Sequence, residues 1–198
     1  TKEYTFESCG EKLDMAELQE IWESKLEPVY PYRKAGPAVE KINGSLTAPA
    51  APKIGVAKPK VIIPVFPGTN CEYDTAKAFA RAGADPEILV VRNLTPADVA
   101  ESCKALVKAI DASQIVMLPG GFSGGDEPDG SAKFIASFFR NPAVTEAVRR
   151  LLQQRDGLML GICNGFQALI KLGLVPYGDI RPITACDPTL TFNTIGRH

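Results

Sequence analysis

The sequence predicts an α/β domain built on a mostly parallel, doubly wound sheet. Three observations carry that expectation. From Lys60 onward, short and nearly continuous apolar strand patterns alternate with helical patterns, as in sheets covered on both faces. Three of those strand patterns run straight into loops of small and polar residues, "PGTNCE", "PGGFSGGD" and "CNG". Of the 198 residues, 45% are hydrophobic, which suits one ordinary core with attachments.

Taken in order, the first zone is 1–32. Asp14 is placed as an N-cap with Glu17 as its capping-box acid, and Leu13 and Leu18 as a hydrophobic staple. Leu18, Ile21, Trp22 and Leu26 then share one helix face. A single amphipathic helix cannot bury its own stripe. We read the zone as the tail of a preceding domain, the alternative being an extra helix of the domain that follows. Residues 33–59, rich in Pro, Ala and Lys ("APAAPKIGVAKPK"), read as a semi-extended linker. The α/β zone is 60–198. "KVIIPVF" is its first strand, and the helix after it ends at Gly83, a C-cap position. "EILVVR" is the second strand, and Thr95 caps and Pro96 opens the next helix. "SQIVMLP" is the third strand, followed by the glycine-rich loop. Residues 131–140 form a helix pattern, and Asn141-Pro142 starts another through about Gln154. "GLMLGI" is the fourth strand, with a helix over 164–172.

Composition excludes several classes of function. The formal charge is −1, and lysines and arginines are spread along the chain, so no basic stripe marks a nucleic-acid partner. The longest apolar runs are far too short to span a bilayer, and no signal peptide is visible. The five cysteines, at 9, 71, 103, 163 and 186, show neither CxxC spacing nor a histidine partner set. That argues against a metal site or a disulfide framework and points to a reducing cytoplasm. A first residue Thr1, and a final strand-like stretch "TLTFNTIGRH", read as a piece of a longer polypeptide.

The chemistry centres on "LGICNGFQ". Cys163 stands between Gly161 and Gly165 at a strand-to-helix junction, the pattern of a nucleophile elbow whose sharp turn needs small flanking residues. The helix behind it offers free N–H groups and the positive end of its dipole, which stabilise negative charge on an attacking sulfur. The bland alternative is a structural cysteine at a strand end. Acyl transfer needs N–H donors for an oxyanion. The N–H of Asn164, next after the nucleophile, is one candidate and that of Gly121 the other. Taken alone, the glycine-rich loop could be an anion nest or a turn, and no G-K-[ST] follows to make it a Walker loop. Gln167 lies one turn after Cys163, facing either a substrate or solvent. Asn70 either contributes to the site or caps the helix after the first strand. Cys71 is a second thiol near the edge without an elbow. A cysteine nucleophile usually needs a histidine base. His198 is the one histidine of the chain.

Together, "FPGTNCEYDTA", "PGGFSGGD" and "GICNGFQ" resemble the class I glutamine amidotransferase domain, in the form it takes in phosphoribosylformylglycinamidine synthases. The resemblance covers residues 60–198 and implies a flavodoxin-like sheet, truncated at its C-terminal end. It implies that Cys163 attacks glutamine to form a thioester and that Gly121 and Asn164 hold the oxyanion. It also implies that Gly120, Phe122, Gln167 and Asn70 contact the substrate. The family's general-base histidine and its acid lie beyond the elbow, at positions this chain does not contain; His198 does not match them. No cofactor or metal is implied for these residues, ATP and Mg2+ serving the synthase part. The upstream helix resembles the end of the synthase part in single-chain forms, so the implied partner is a synthase domain of the same polypeptide, without nucleic acid or membrane. Small cysteine hydrolases and chaperones on a similar sheet commonly place a histidine right after the elbow cysteine, where this chain has Asn164.

Overall fold

A computed structural model describes residues 4–29, 55–124 and 132–190. The chain divides into two units, whose described parts are residues 4–29 and residues 55–124 with 132–190. The expected linker lies outside the described residues as far as residue 54.

The first unit opens with a hairpin that the sequence reading did not anticipate. Strands β1 (Thr5–Ser8) and β2 (Glu11–Asp14) pair antiparallel from Thr5↔Asp14 to Ser8↔Glu11. Cys9 and Gly10 form the two-residue turn, with φ of 53° and 82°, the doubly left-handed geometry that short hairpins prefer. Helix α1 (Met15–Ser24) follows at once. Asp14 is its N-cap, as expected, and its Oδ1 accepts from the N–H groups of Ala16 at 2.8 Å and Glu17 at 3.3 Å. No residue of α1 is buried, and Trp22 is 79% exposed.

The second unit is a four-stranded parallel sheet. Its strands are β3 (Lys60–Val65), β4 (Asp85–Val90), β5 (Ile115–Leu118) and β6 (Leu158–Gly161), in the spatial order β4-β3-β5-β6. The sheet is parallel throughout, and its order, second-first-third-fourth, is the flavodoxin-like one. Helices α2 (Glu72–Arg81), α3 (Pro96–Ala112), α4 (Lys133–Phe139), α5 (Pro142–Arg149), α6 (Asn164–Leu172) and α7 (Leu174–Tyr177) complete it. Among the described residues, no helix is long and apolar enough to cross a membrane.

Local chemistry sets the element boundaries. After α2, Gly83 takes φ 90° and donates to Ala80 O while Ala84 donates to Phe79 O, a Schellman stop. Thr95 and Asp98 form a reciprocal capping box on α3, with Pro96 in the first turn. Asn141 Oδ1 accepts from Ala143 N–H to start α5. Its last turn widens to π-type bonding over Arg150–Gln154. Strand β4 runs from 85 to 90 rather than over the expected "EILVVR". Pro86 is accommodated because β4 is an edge, where a missing donor is tolerated. The ladder between β3 and β5 stops at Ile62↔Val116, short of Pro64, which has no N–H to continue it.

Alternation along β3 divides the interior in two. Ile62 joins a large core with Val116, Leu118, Leu106, Ile110, Phe139 and residues of α4–α6. Val61 and Ile63 face the other way, into a small cluster with Ala84 and Met117, against Phe79 and Ala76 of α2.

Candidate active site

Three loops meet at the carboxyl edge of the sheet, where open α/β sheets bind their ligands. The loop after β3 and the loop after β5 cross in direct backbone contact. Phe122 N–H donates to Gly68 O at 2.8 Å, and Asn70 N–H to Gly120 O at 3.3 Å, with Thr69 opposite Gly121. A Cβ on Gly121 would stand 2.3 Å from Gly68 O, and one on Gly68 2.8 Å from Phe122 O, so no side chain fits at either crossing point. The Gly121 N–H has no partner among the described residues, because the crossing uses the carbonyl of Gly120 on one side of it and the N–H of Phe122 on the other.

The third loop is the elbow. Cys163 has φ 52° and ψ −113°, a conformation that side-chain-bearing residues rarely adopt, at a cost on the order of 1–3 kcal/mol. It is the residue immediately before α6, and its side chain is exposed. Both flanking glycines are sterically required. A Cβ on Gly161 would lie 2.6 Å from Gly165 O, and one on Gly165 would lie 2.0 Å from Leu118 O. The turn can therefore close only with glycine at both positions, which is the physical content of the G-x-C-x-G pattern.

A cavity of about 700 Å³ opens at these loops, between them and α2. Of the expected site residues, Cys163, Gly120, Gly121, Phe122 and Asn70 line it, together with Cys71. Asn164 and Gln167 do not. The Asn164 side chain is 1% exposed and acts as a brace: its Oδ1 accepts from Ser123 N–H at 3.0 Å, and its Nδ2 donates to Gln167 Oε1 at 2.9 Å. It thus ties the glycine-rich loop to the elbow helix, and Gln167 is held on the helix by the same residue. Asn70 does not cap α2. Cys71 holds that position, and its Sγ–H donates to Asn70 Oδ1 at 3.1 Å. His198 lies outside the described residues.

The five thiols fall into different environments. Cys103 is buried in α3, and burial pushes its thiol up from the ordinary value. Cys71 and Cys163 are exposed at the cavity. Among the described residues no group of three or more His, Cys, Asp or Glu side chains is placed to hold a metal ion. Two buried polar atoms near the loops, Glu72 Oε2 and Ser123 Oγ, have no hydrogen-bond partner among the described residues.

The site thus joins an exposed cysteine in a strained elbow to a glycine loop at the carboxyl edge of a parallel sheet. Residues 58–198 match the model of the CobB/CobQ-like glutamine amidotransferase domain, and the chain belongs to that family. Its relatives include the phosphoribosylformylglycinamidine synthase subunit PurQ of Dehalococcoides mccartyi, 36% identical over 144 residues, 72% of this chain and 50% of that subunit. The PurQ subunit of Cereibacter sphaeroides is 41% identical over 117 residues, 59% of this chain and 44% of the subunit. Among solved structures, PurLQS from Thermotoga maritima shares 28% identity over 59% of this chain and 45% of that one, with a TM-score of 0.40. The chain thus spans about half or less of the length of the relatives it matches.

Proposed function

We propose that this chain carries the nucleophile half of a glutaminase site that serves a phosphoribosylformylglycinamidine synthase in purine biosynthesis. The observation that carries the reading is the strained backbone of Cys163, which presents its sulfur to a cavity bordered by an uncommitted N–H at Gly121. In the proposed reaction, Cys163 Sγ attacks the side-chain carboxamide carbon of glutamine. The Gly121 and Asn164 N–H groups receive the oxyanion, ammonia leaves, and water hydrolyses the resulting thioester. Asn70, Gly120 and Phe122 contact the bound glutamine, and Gln167 contributes through Asn164. The ammonia is used for ATP-dependent amidation of formylglycinamide ribonucleotide, with Mg2+, at a synthase site. That synthase is the proposed partner, residues 1–32 are proposed as the tail of its domain in the same cytoplasmic polypeptide, and residues 60–198 as the amidotransferase domain.

The test is covalent. The full chain, treated with the glutamine-shaped electrophile diazo-oxo-norleucine, is expected to be modified at Cys163 alone, with glutamine protecting it. Modification spread over the exposed cysteines, or insensitivity to glutamine, overturns the reading. Because His198 is the only histidine, this chain by itself is expected to turn glutamine over about 10²–10⁴-fold more slowly than an amidotransferase with a positioned base. Turnover at an intact amidotransferase's rate would sink that part.

A further inference from the structure

Cys71 is 92 positions before Cys163 and carries no role in the acyl transfer, yet the fold brings both cysteines beside one glycine at the same cavity. A Cβ placed on Gly120 would stand 3.5 Å from Cys163 Cβ and 3.6 Å from Cys71 Sγ. The Cys71 sulfur therefore lies no farther from Cys163 Cβ than the sum of those two distances, and the residue beside both, Gly120, carries no side chain. Both thiols are exposed and line the same cavity. The other cysteines are placed differently: Cys103 is buried, and neither Cys9 nor Cys186 lines the cavity.

We propose that Cys71 is the resolving thiol of Cys163, so that the site is closed by a reversible disulfide when a hydroperoxide reaches it. The Cys163 thiolate attacks the distal oxygen of the hydroperoxide. The O–O bond breaks, the alcohol or water leaves, and the sulfur is oxidised by two electrons to a sulfenic acid. The Cys71 thiol then gives up its proton and attacks that sulfur. The S–S bond forms as the S–O bond breaks, and the oxygen leaves as water. A disulfide requires Cβ atoms about 3.5–4.5 Å apart, so the loop carrying Cys71 closes toward the elbow across Gly120. The product blocks the nucleophile and spares it the irreversible sulfinic step, and any small dithiol restores both groups.

The experiment uses the full chain, reduced, freed of reductant, exposed to hydrogen peroxide, alkylated with iodoacetamide and mapped by mass spectrometry. The expected result is an intramolecular peptide pair joining Cys71 to Cys163, with both alkylation sites lost together and both recovered by dithiothreitol. In Cys71→Ser the pair is absent and Cys163 proceeds to the sulfinic acid. In Gly120→Ala the new methyl meets only ordinary van der Waals contacts, so the chain folds, and the pair is suppressed while oxidation of Cys9 and Cys186 is unchanged. The proposal is overturned if Cys163 oxidises while Cys71 remains free to alkylate. It is equally overturned if Cys163 pairs with Cys9 or Cys186 as readily as with Cys71, or if Gly120→Ala leaves the linkage rate unaltered. None of these readouts involves glutamine, so the thiol pair and the amidotransferase reading stand or fall separately.

Discussion

The residues around Cys163 divide between those that any reader of the sequence could place and those that only folding brings together. Gly161, Cys163 and Gly165 alternate along one short stretch of the chain and obey a local steric rule, so the elbow is legible without a structure. The brace of Asn164 to Ser123 is not, because it joins positions 41 apart and depends on how two loops stack. The proposal for the Asn164 backbone N–H rests on its place next to Cys163 in the chain, whereas the bond its side chain makes to Ser123 could be found only in the fold. Two expectations follow. Asn164→Ala strands the buried Ser123 N–H and should cost about 1–3 kcal/mol in urea unfolding. Gly165→Ala drives a methyl into Leu118 O and should cost about 3 kcal/mol or more, at the upper end for overpacking, with loss of the folded baseline as the extreme outcome. An Ala variant at 165 as stable as the parent would show that the elbow is not as tight as described.

At the scale of elements, caps were the most readable feature and pairing the least. Thr95, Asn141 and Gly83 announce helix ends through bonds that span two or three residues, and each does so here. The β1–β2 hairpin escaped because its strands are polar and exposed, and because Cys9 occupies a turn position where Asn or Asp is the usual sign. Long-range capping escaped as well. The Arg155 guanidinium donates to the carbonyls of Ile110, Asp111 and Ser113 at 2.8–3.0 Å, closing the C-terminus of α3 from 42–45 residues away. Arg155→Ala should cost about 1–2 kcal/mol in chemical denaturation, and Lys should recover only part of it, since an ammonium cannot span three carbonyls. After α7, Asp187 is held down to about 2, first by the Tyr177 hydroxyl and then by the Thr184 N–H. Its folded value lies below the unfolded value of about 3.9. Its stabilisation is therefore complete above about pH 4 and lost as the pH falls toward about 2. Asp187→Asn should flatten that acid limb in urea midpoints measured against pH, leaving the part contributed by Asp179, which Arg149 also holds down.

For the molecule as a whole, the layer arrangement was legible from the alternation of patterns and the flavodoxin-like sheet through the family resemblance, while the unequal filling of the two sheet faces was not. Among the described residues β6 is an edge strand, and Leu158, Leu160 and Ile162 on and just after it remain 36%, 45% and 53% exposed. Such an edge invites pairing with another chain. Sedimentation should show self-association that grows with concentration and is reduced by Leu160→Lys; a monomer at all concentrations would count against it. The inequality also bears on α2. That helix has no buried residue and rests on the small cluster around Val61, Ile63, Ala84 and Met117, whereas α3–α6 share the large core. The cavity therefore has one wall set in the most protected part of the domain and one set in the least. Amide hydrogen exchange should run through α2 by local opening, well before the elbow helix α6 exchanges. Under the proposed function, a ligand arriving at Cys163 would find the elbow's side fixed and the opposite side breathing, so admission and release would be governed by α2 while the geometry around the sulfur stays still.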